Sequence, residues 1–171
     1  MFFSQEARTS VAIVVLRHST GMCFYLAMSS QRNSTPWLRT IEHTADVGIA
    51  VRADSLRLLF ERVATAMFAL LAETDAARPE IEVRVRVQAS DRQALFVQWL
   101  SELNFIHQTR HLLFARFSVR AITDRALAAS AFGYAIRPHQ PIRLEIKAVT
   151  FHRLRIRKRG RLWHARVIFD V

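Results

Sequence analysis

The sequence predicts an α+β fold, a two-layer sandwich in which two long helices pack on one face of a mostly antiparallel or mixed β-sheet. Two segments carry apolar residues at helical spacing, and strand-like segments fill the last third of the chain. The chain has 171 residues, is 51% hydrophobic and contains only 4 glycines and 4 prolines. That composition supplies one sizeable core and excludes a largely disordered or collagen-like protein.

A domain boundary is expected near residue 36, because residues 29–36 (SSQRNSTP) are polar and rich in residues that break helices and strands. Residues 1–36 then form an N-terminal extension. It is a β-hairpin or a disordered arm, or translation in fact begins at Met22 or Met28. Residues 37–171 form the main domain. The extension contains three arginines and one glutamate, so most of the basic excess belongs to the main domain.

The first predicted elements of the main domain are a strand and a helix. Residues 47–51 form a short apolar run that is typical of a strand, and Asp54 or Ser55 can cap a following helix. Beyond the cap, apolar residues recur at intervals of three and four, the pattern of an amphipathic helix: Leu56, Leu59, Phe60, Val63, Met67, Leu70 and Leu71.

A second strand and a second helix follow. Residues 80–88 alternate strictly between apolar and polar side chains, which is typical of a strand with one wet face. Ser90 and Gln93 have the spacing of a capping box, which predicts that a helix begins there. One side of this helix carries the apolar residues Leu95, Trp99, Leu103 and Ile106.

The last third of the chain is predicted to form four strands, over residues 112–122, 126–136, 142–157 and 162–171. Gly160 lies between the last two segments, where a hairpin turn favours a residue that tolerates positive φ. Two long helices against mostly antiparallel strands complete the predicted sandwich.

Charge and cysteine content narrow the classes of function. Lys and Arg number 25 against 14 Asp and Glu, a formal net charge of +11, which favours an anionic partner. The single Cys23 excludes an internal disulfide and a cysteine-rich zinc site, and it agrees with a cytoplasmic location. No apolar run reaches the ~18–20 residues of a bilayer-spanning helix, so a membrane is not an expected partner.

Two carboxylates are the candidate metal ligands. Asp46 lies in 42–48 (EHTADVG), and Asp170 ends the apolar strand before Val171, whose own oxygens add to the negative charge there. Converging oxygens would suit a hard divalent cation. The alternatives are that Asp46 bonds backbone N–H groups in a turn and that Asp170 is a solvated strand end.

Other side chains have both a functional and a structural interpretation. His43 and His152 are candidate ligands or acid–base groups, or hydrogen-bonded structural histidines. Lys147 either forms a surface pair with a neighbouring glutamate or positions an anion. Strand alternation predicts that Arg153, Arg155 and Arg157 form one row that contacts an anionic partner, or a charged edge that discourages aggregation.

Five blocks of the main domain resemble the archease family, and they occur in order along the chain. The blocks are 42–49 (EHTADVGI), 59–61 with 66–68 (LFE and AMF), 99–103 (WLSEL), 146–152 (IKAVTFH) and 163–171 (WHARVIFDV). Phe151 stands where the family usually has tyrosine. Residues 1–36 are outside the resemblance.

The resemblance implies a small α+β protein that activates the tRNA-splicing ligase and is not itself an enzyme. That ligase joins RNA ends bearing a 2′,3′-cyclic phosphate or 3′-phosphate to a 5′-hydroxyl, using GTP and a divalent metal. The family member is expected to promote guanylylation of the ligase's active-site histidine and to sustain multiple turnover. The expected partners are therefore the ligase and, through the ligase complex, RNA.

The resemblance also implies a divalent ion, Ca²⁺ with Mg²⁺ or Mn²⁺ as alternatives, bound by Asp46, Asp170 and the main-chain oxygen of Val171. Lys147 matches a position implicated in activation, and His43 and His152 are further candidates for that role. Two other functions remain open on the residues alone: a metal-dependent phosphoesterase, and an RNA-binding module that uses the basic hairpin of Arg153, Arg155 and Arg157.

Overall fold

The computed structural model describes residues 36–43, 46–74 and 79–171. The predicted N-terminal extension lies outside the described residues, apart from Pro36. The described chain contains these elements in order: β1(Leu38–His43), β2(Asp46–Ala53), α1(Leu56–Leu71), β3(Ile81–Gln88), α2(Arg92–Arg110), β4(Leu112–Ile122), β5(Ala126–Ala135), β6(Ala148–Arg159) and β7(Leu162–Asp170). Neither helix of this described part is long and apolar enough to cross a membrane.

The strands form two separate sheets in which every pairing is antiparallel. The four-stranded sheet has the order β1-β2-β7-β6, and the three-stranded sheet has the order β3-β5-β4. Helix α1 contacts β2, β7 and β4, and helix α2 contacts β6 and the three-stranded sheet, so both helices touch both sheets. The predicted α+β fold with two helices is confirmed. The division into two sheets was not predicted, because periodicity within a strand does not specify its partner.

Helix α1 forms as the sequence predicts and supplies much of the core. Ser55 rather than Asp54 is the cap: its hydroxyl oxygen accepts a hydrogen bond from Leu58 N at 3.1 Å. Most of the predicted apolar stripe is buried. The ring of Phe68 packs 5.3 Å from that of Phe114 in β4, which ties the helix to the three-stranded sheet. Burying one such side chain stabilises the fold by about 1.5–3 kcal/mol.

Helix α2 begins at a different cap from the predicted one, so the capping box of Ser90 and Gln93 is wrong. Oδ1 of Asp91 accepts hydrogen bonds from Gln93 N at 2.8 Å and Ala94 N at 2.9 Å, while Ser90 donates to the other oxygen at 3.2 Å. The negative charge of a carboxylate is stabilised beside the positive end of a helix. The hydrogen bond from the Ala94 amide, above all, lowers the pKa of Asp91.

The predicted apolar side of α2 is buried against the rest of the core. Leu95, Trp99 and Leu103 have no exposed surface, and Ile106 is 5% exposed. Nε1 of Trp99 donates to the carbonyl of Phe60 at 3.1 Å, which joins α2 to α1 through a satisfied buried donor.

The largest differences from the sequence prediction are one additional strand and the late start of another. Strand β1 was not predicted, because its apolar residues lack period-two alternation and its place is set by pairing with β2. The strand predicted over 142–157 begins only at Ala148. Ahead of it, Arg143 N donates to Leu71 O at 2.7 Å, and side chains of α2 bond to the carbonyl of Ile146, so these groups are not free for a strand ladder.

Candidate metal site and basic sheet face

The two aspartates identified from the sequence lie on adjacent strands at one end of the four-stranded sheet. Asp46 in β2 is the register partner of Asp170 in β7. The same row continues outward, since Asp46 also pairs with His43 in β1 and Asp170 pairs with Ala148 in β6. Residues directly opposite in an antiparallel pair share one face of the sheet. The backbone therefore brings together two positions that are far apart in the sequence.

Lys147 joins this end of the sheet from the segment before β6. Its backbone N–H donates to the carbonyl of Asp170 at 2.9 Å, and its Nζ donates to the main-chain oxygen of Val171 at 3.1 Å. Lys147 and Asp170 are exposed, and Val171 is half-buried. Lys147 thus contacts the oxygen that the resemblance assigns to a metal ion, and a cation there would compete with the lysine ammonium.

Two side chains of α2 hold the residue before Lys147, and neither was identified from the sequence. Nδ2 of Asn104 and Nε2 of Gln108 both donate to the carbonyl of Ile146, at 2.7 and 2.9 Å. Asn104 is 5% exposed and Ile146 is 1% exposed. Two amides four residues apart on one helix face were a readable signal, because such residues are neighbours on its surface. These two hydrogen bonds fix the backbone of Ile146 and thereby the position from which the exposed Lys147 side chain extends.

His152 and Arg153 lie in an irregular part of β6. The register of β6 against β7 shifts between Thr150 and Arg155, and Arg153 has φ 52°. The strand alternation that predicted one row of three arginines is broken at Arg153, so that expectation is wrong for this residue. His152 is exposed and does not belong to the ladder row that contains Asp170.

The four-stranded sheet has a basic concavity on the face that points away from the helices. An open cavity of about 910 Å³ lies there, lined by residues from all four strands. Its basic residues, called here the basic face, are Arg39, Arg52, Arg155, Arg157, His164 and Arg166. The sequence predicted only two of them, because the others reach this surface through the pairing of β1, β2 and β7 with β6.

The basic face is built from two cross-strand rows. In the first, Ala50 pairs with Arg39 on one side and Arg166 on the other, and Arg166 pairs with Arg155. In the second, His164 lies between two arginines of the basic face, with which it pairs in β2 and β6. The alternate residues of β2 and β7, such as Val51 and Val167, are buried in the core on the opposite face.

The donor atoms near Asp170 suit a hard cation better than zinc. The carboxylate of Asp170 and the main-chain oxygen of Val171 are oxygen ligands, which Ca²⁺, Mg²⁺ and Mn²⁺ prefer. No group of three or more His, Cys, Asp or Glu side chains that could hold a metal ion occurs in the part of the chain that the structure describes. A cation such as Ca²⁺, which takes about six to eight oxygens, would need further ligands from water or a partner.

Comparison with known proteins gives one consistent family. The model of the Archease protein family matches residues 38–171. Protein archease of Methanothermobacter thermautotrophicus is 38% identical over 132 residues, which cover 75% of this chain and 94% of that protein. Protein archease of Methanopyrus kandleri is 33% identical over 140 residues, covering 80% of this chain and 99% of that protein.

A solved structure has the same fold. The solution structure of a Methanobacterium thermoautotrophicum protein superimposes with a TM-score of 0.68 at 33% sequence identity. The match covers 78% of this chain and 98% of that one.

Proposed function

This chain belongs to the archease family, and on that premise we propose that it is a metal-binding, non-catalytic activator of a tRNA-splicing RNA ligase in the cytoplasm. In this role it promotes guanylylation of the ligase and sustains multiple turnover in tRNA splicing or RNA repair. The observation that carries the proposal is the register of β2 against β7, in which Asp46 pairs with Asp170.

The proposed metal ligands are Asp46, Asp170 and the main-chain oxygen of Val171. A bound Ca²⁺, Mg²⁺ or Mn²⁺ would supply positive charge beside phosphate oxygens in the ligase's nucleotide pocket. The oxygen chemistry of the ligands and the exposure of Asp170 support this assignment, since an exposed site can meet a partner. Lys147, which donates to the oxygen of Val171, adds a positive charge that can approach the same phosphates.

The chain is proposed to act by positioning, without a covalent step of its own. Asn104 and Gln108 hold the carbonyl of Ile146, and the backbone of Lys147 is bonded to Asp170, so this end of the sheet is tied to the core at several points. A tied surface can hold a partner's reacting groups in one geometry, and correct geometry alone lowers a barrier by several kcal/mol, up to about 7–11 kcal/mol.

The decisive experiment measures guanylylation and ligation by the cognate ligase with and without this protein. The test variants are D46N and D170N, and the matched control is D54N, an exposed aspartate just beyond the other end of β2. We expect D46N and D170N to lose stimulation by at least about tenfold, because each removes one charged ligand. D54N should stay near wild type. Full stimulation by D46N would contradict the proposal.

Metal binding is measured separately, by calorimetric titration of Ca²⁺, Mg²⁺ and Mn²⁺ into the protein alone. Wild type should bind at least one of them, and D170N should bind it at least about tenfold more weakly. The phosphoesterase alternative predicts phosphate release from a simple ester without any ligase. Release that D46N abolishes would favour that enzyme over an activator.

A further inference from the structure

We propose that the basic face of the four-stranded sheet binds single-stranded RNA through its phosphates. The face is on the opposite surface of the sheet from the helices and at the other end from Asp170. RNA binding there requires neither the ligase nor a metal ion, so it stands or falls independently of the proposed activation.

The charges of the basic face lie opposite one another across the strands. Arg155 and Arg166 are directly opposite each other, and like charges in that position destabilise a sheet. Among the described residues, the ion pairs to carboxylates involve other arginines and none of the basic face. Within the described part of the chain, Nε of Arg166 is buried without a hydrogen-bond partner. An anion in the cavity would relieve the repulsion between the guanidinium groups.

The residue types favour a phosphate chain as the anion. Five of the six basic side chains are arginines, whose planar guanidinium groups bind phosphate oxygens in pairs. Arg155 and Arg157 are two residues apart in one strand, a spacing of about 6.8 Å, and the adjacent strand lies about 4.8 Å away. A repeating array of cations in an open cleft matches a repeating polyanion better than a single small anion.

The surface around the cavity also favours RNA over an acidic protein. Protein interfaces usually have an apolar centre. The exposed large apolar side chains in the described part of the chain are Phe105, Ile142 and Phe151, and none of them lines this cavity. Trp37 does line the cavity; its ring is half-buried, and the guanidinium of Arg62 lies over one face of it, 5.1 Å from the ring centroid. An aromatic ring beside a basic groove is the arrangement that single-stranded nucleic acids use for stacking.

The test is fluorescence anisotropy of a short labelled oligouridylate titrated with the full chain at several KCl concentrations. The test variant R155Q/R157Q removes two exposed charges from the edge strand β6. The matched control R84Q/R86Q removes two exposed charges at the same spacing from β3, the edge strand of the other sheet. We expect R155Q/R157Q to bind at least about tenfold more weakly, with the slope of log K against log salt reduced by about 1.4. The control should bind within about twofold of wild type.

A second variant, R39Q, removes one charge from the opposite edge strand and should weaken binding in the same direction. Circular dichroism and thermal melting establish that each variant folds. Three results would overturn the proposal: absence of RNA binding by the wild type at low salt, equal losses in R155Q/R157Q and R84Q/R86Q, or unchanged RNA affinity in R155Q/R157Q. If that last variant instead loses affinity for the ligase, the face binds an acidic protein surface.

Discussion

The exposed faces of the two sheets both carry arginines, but among the described residues only the three-stranded sheet places a carboxylate beside some of them. On the three-stranded sheet, Oε1 of Glu82 lies 3.8 Å from Arg84 and 3.1 Å from Arg120. The guanidinium of Arg116 lies 3.9 Å above the ring of Phe132 in the neighbouring strand. That face therefore gives three of its arginines an internal partner, a carboxylate for Arg84 and Arg120 and an aromatic ring for Arg116.

The four-stranded sheet arranges its arginines against one another. Arg155 faces Arg166 across the ladder, and the cavity above them has no carboxylate among its described lining residues. Arginines that pair with carboxylates of the same sheet have their charge balanced within the protein. Arginines that lie opposite other arginines can instead bind an external anion. The contrast between the sheets therefore separates structural arginines from candidate binding ones.

The largest expected effect tests how tightly the three-stranded sheet is packed. A methyl group on Gly133 would overlap the carbonyl oxygen of Leu113 and lie 2.8 Å from Cα of Phe114, and both are backbone atoms that cannot turn aside. We expect G133A to lower the free energy of unfolding by about 3 kcal/mol or more, measured by urea denaturation.

The comparison glycine is Gly160, in the turn between β6 and β7 of the four-stranded sheet, which has φ +57° and open space around the position of its Cβ. We expect G160A to lower the free energy of unfolding by only about 1 kcal/mol, because alanine is strained in the left-handed backbone conformation but meets no neighbouring atom. Equal losses in G160A and G133A would show that close packing is not what distinguishes the two positions.

The variant E82Q, for which we expect a smaller effect, tests whether the ion pairs with Glu82 keep the arginines of the three-stranded sheet from binding RNA. E82Q retains an acceptor for Ser130 but removes the charge shared by Arg84 and Arg120. Stability should fall by less than about 1 kcal/mol, because the pairs are exposed. RNA affinity should rise by about threefold, since two arginines lose their compensation. An unchanged affinity in the anisotropy assay would mean that uncompensated positive charge on a sheet is not sufficient for RNA binding.

The smallest effect concerns Asp91, a further carboxylate with internal partners, at the turn between β3 and α2. Its pKa is lowered from 3.8 in the folded protein, chiefly by the hydrogen bond from the Ala94 amide. A lowered folded-state pKa stabilises the protein above the unfolded-state pKa, and that contribution disappears as pH falls through the folded value.

The melting temperature of wild type should therefore exceed that of D91N at neutral pH, because asparagine accepts hydrogen bonds but carries no charge at the helix start. The difference should shrink as the pH falls below 3.8 and through the lowered folded-state pKa of Asp91. A difference independent of pH would show that the charge of Asp91 contributes nothing to the cap.

The sequence predicted which residues belong to the candidate site, but it did not predict which of them lie next to one another. Asp46 and Asp170 were chosen from their motifs, yet their pairing depends on the register between β2 and β7. Asn104 and Gln108 were missed because their common acceptor, the carbonyl of Ile146, is distant in the sequence. The expectation for Arg153 was wrong because a register shift interrupts the alternation it relied on.

The sequence by itself determined the two helices, most of the strands and the family to which the chain belongs. Helical stripes and strand alternation depend on neighbours a few residues apart, so they can be read from local pattern. The tertiary structure alone decided that the strands divide into two sheets and that arginines from four strands meet on one face. Those arrangements depend on hydrogen bonds between distant segments. The alternation of apolar and polar residues specifies which face of a strand is buried, but it does not specify which strand pairs with it.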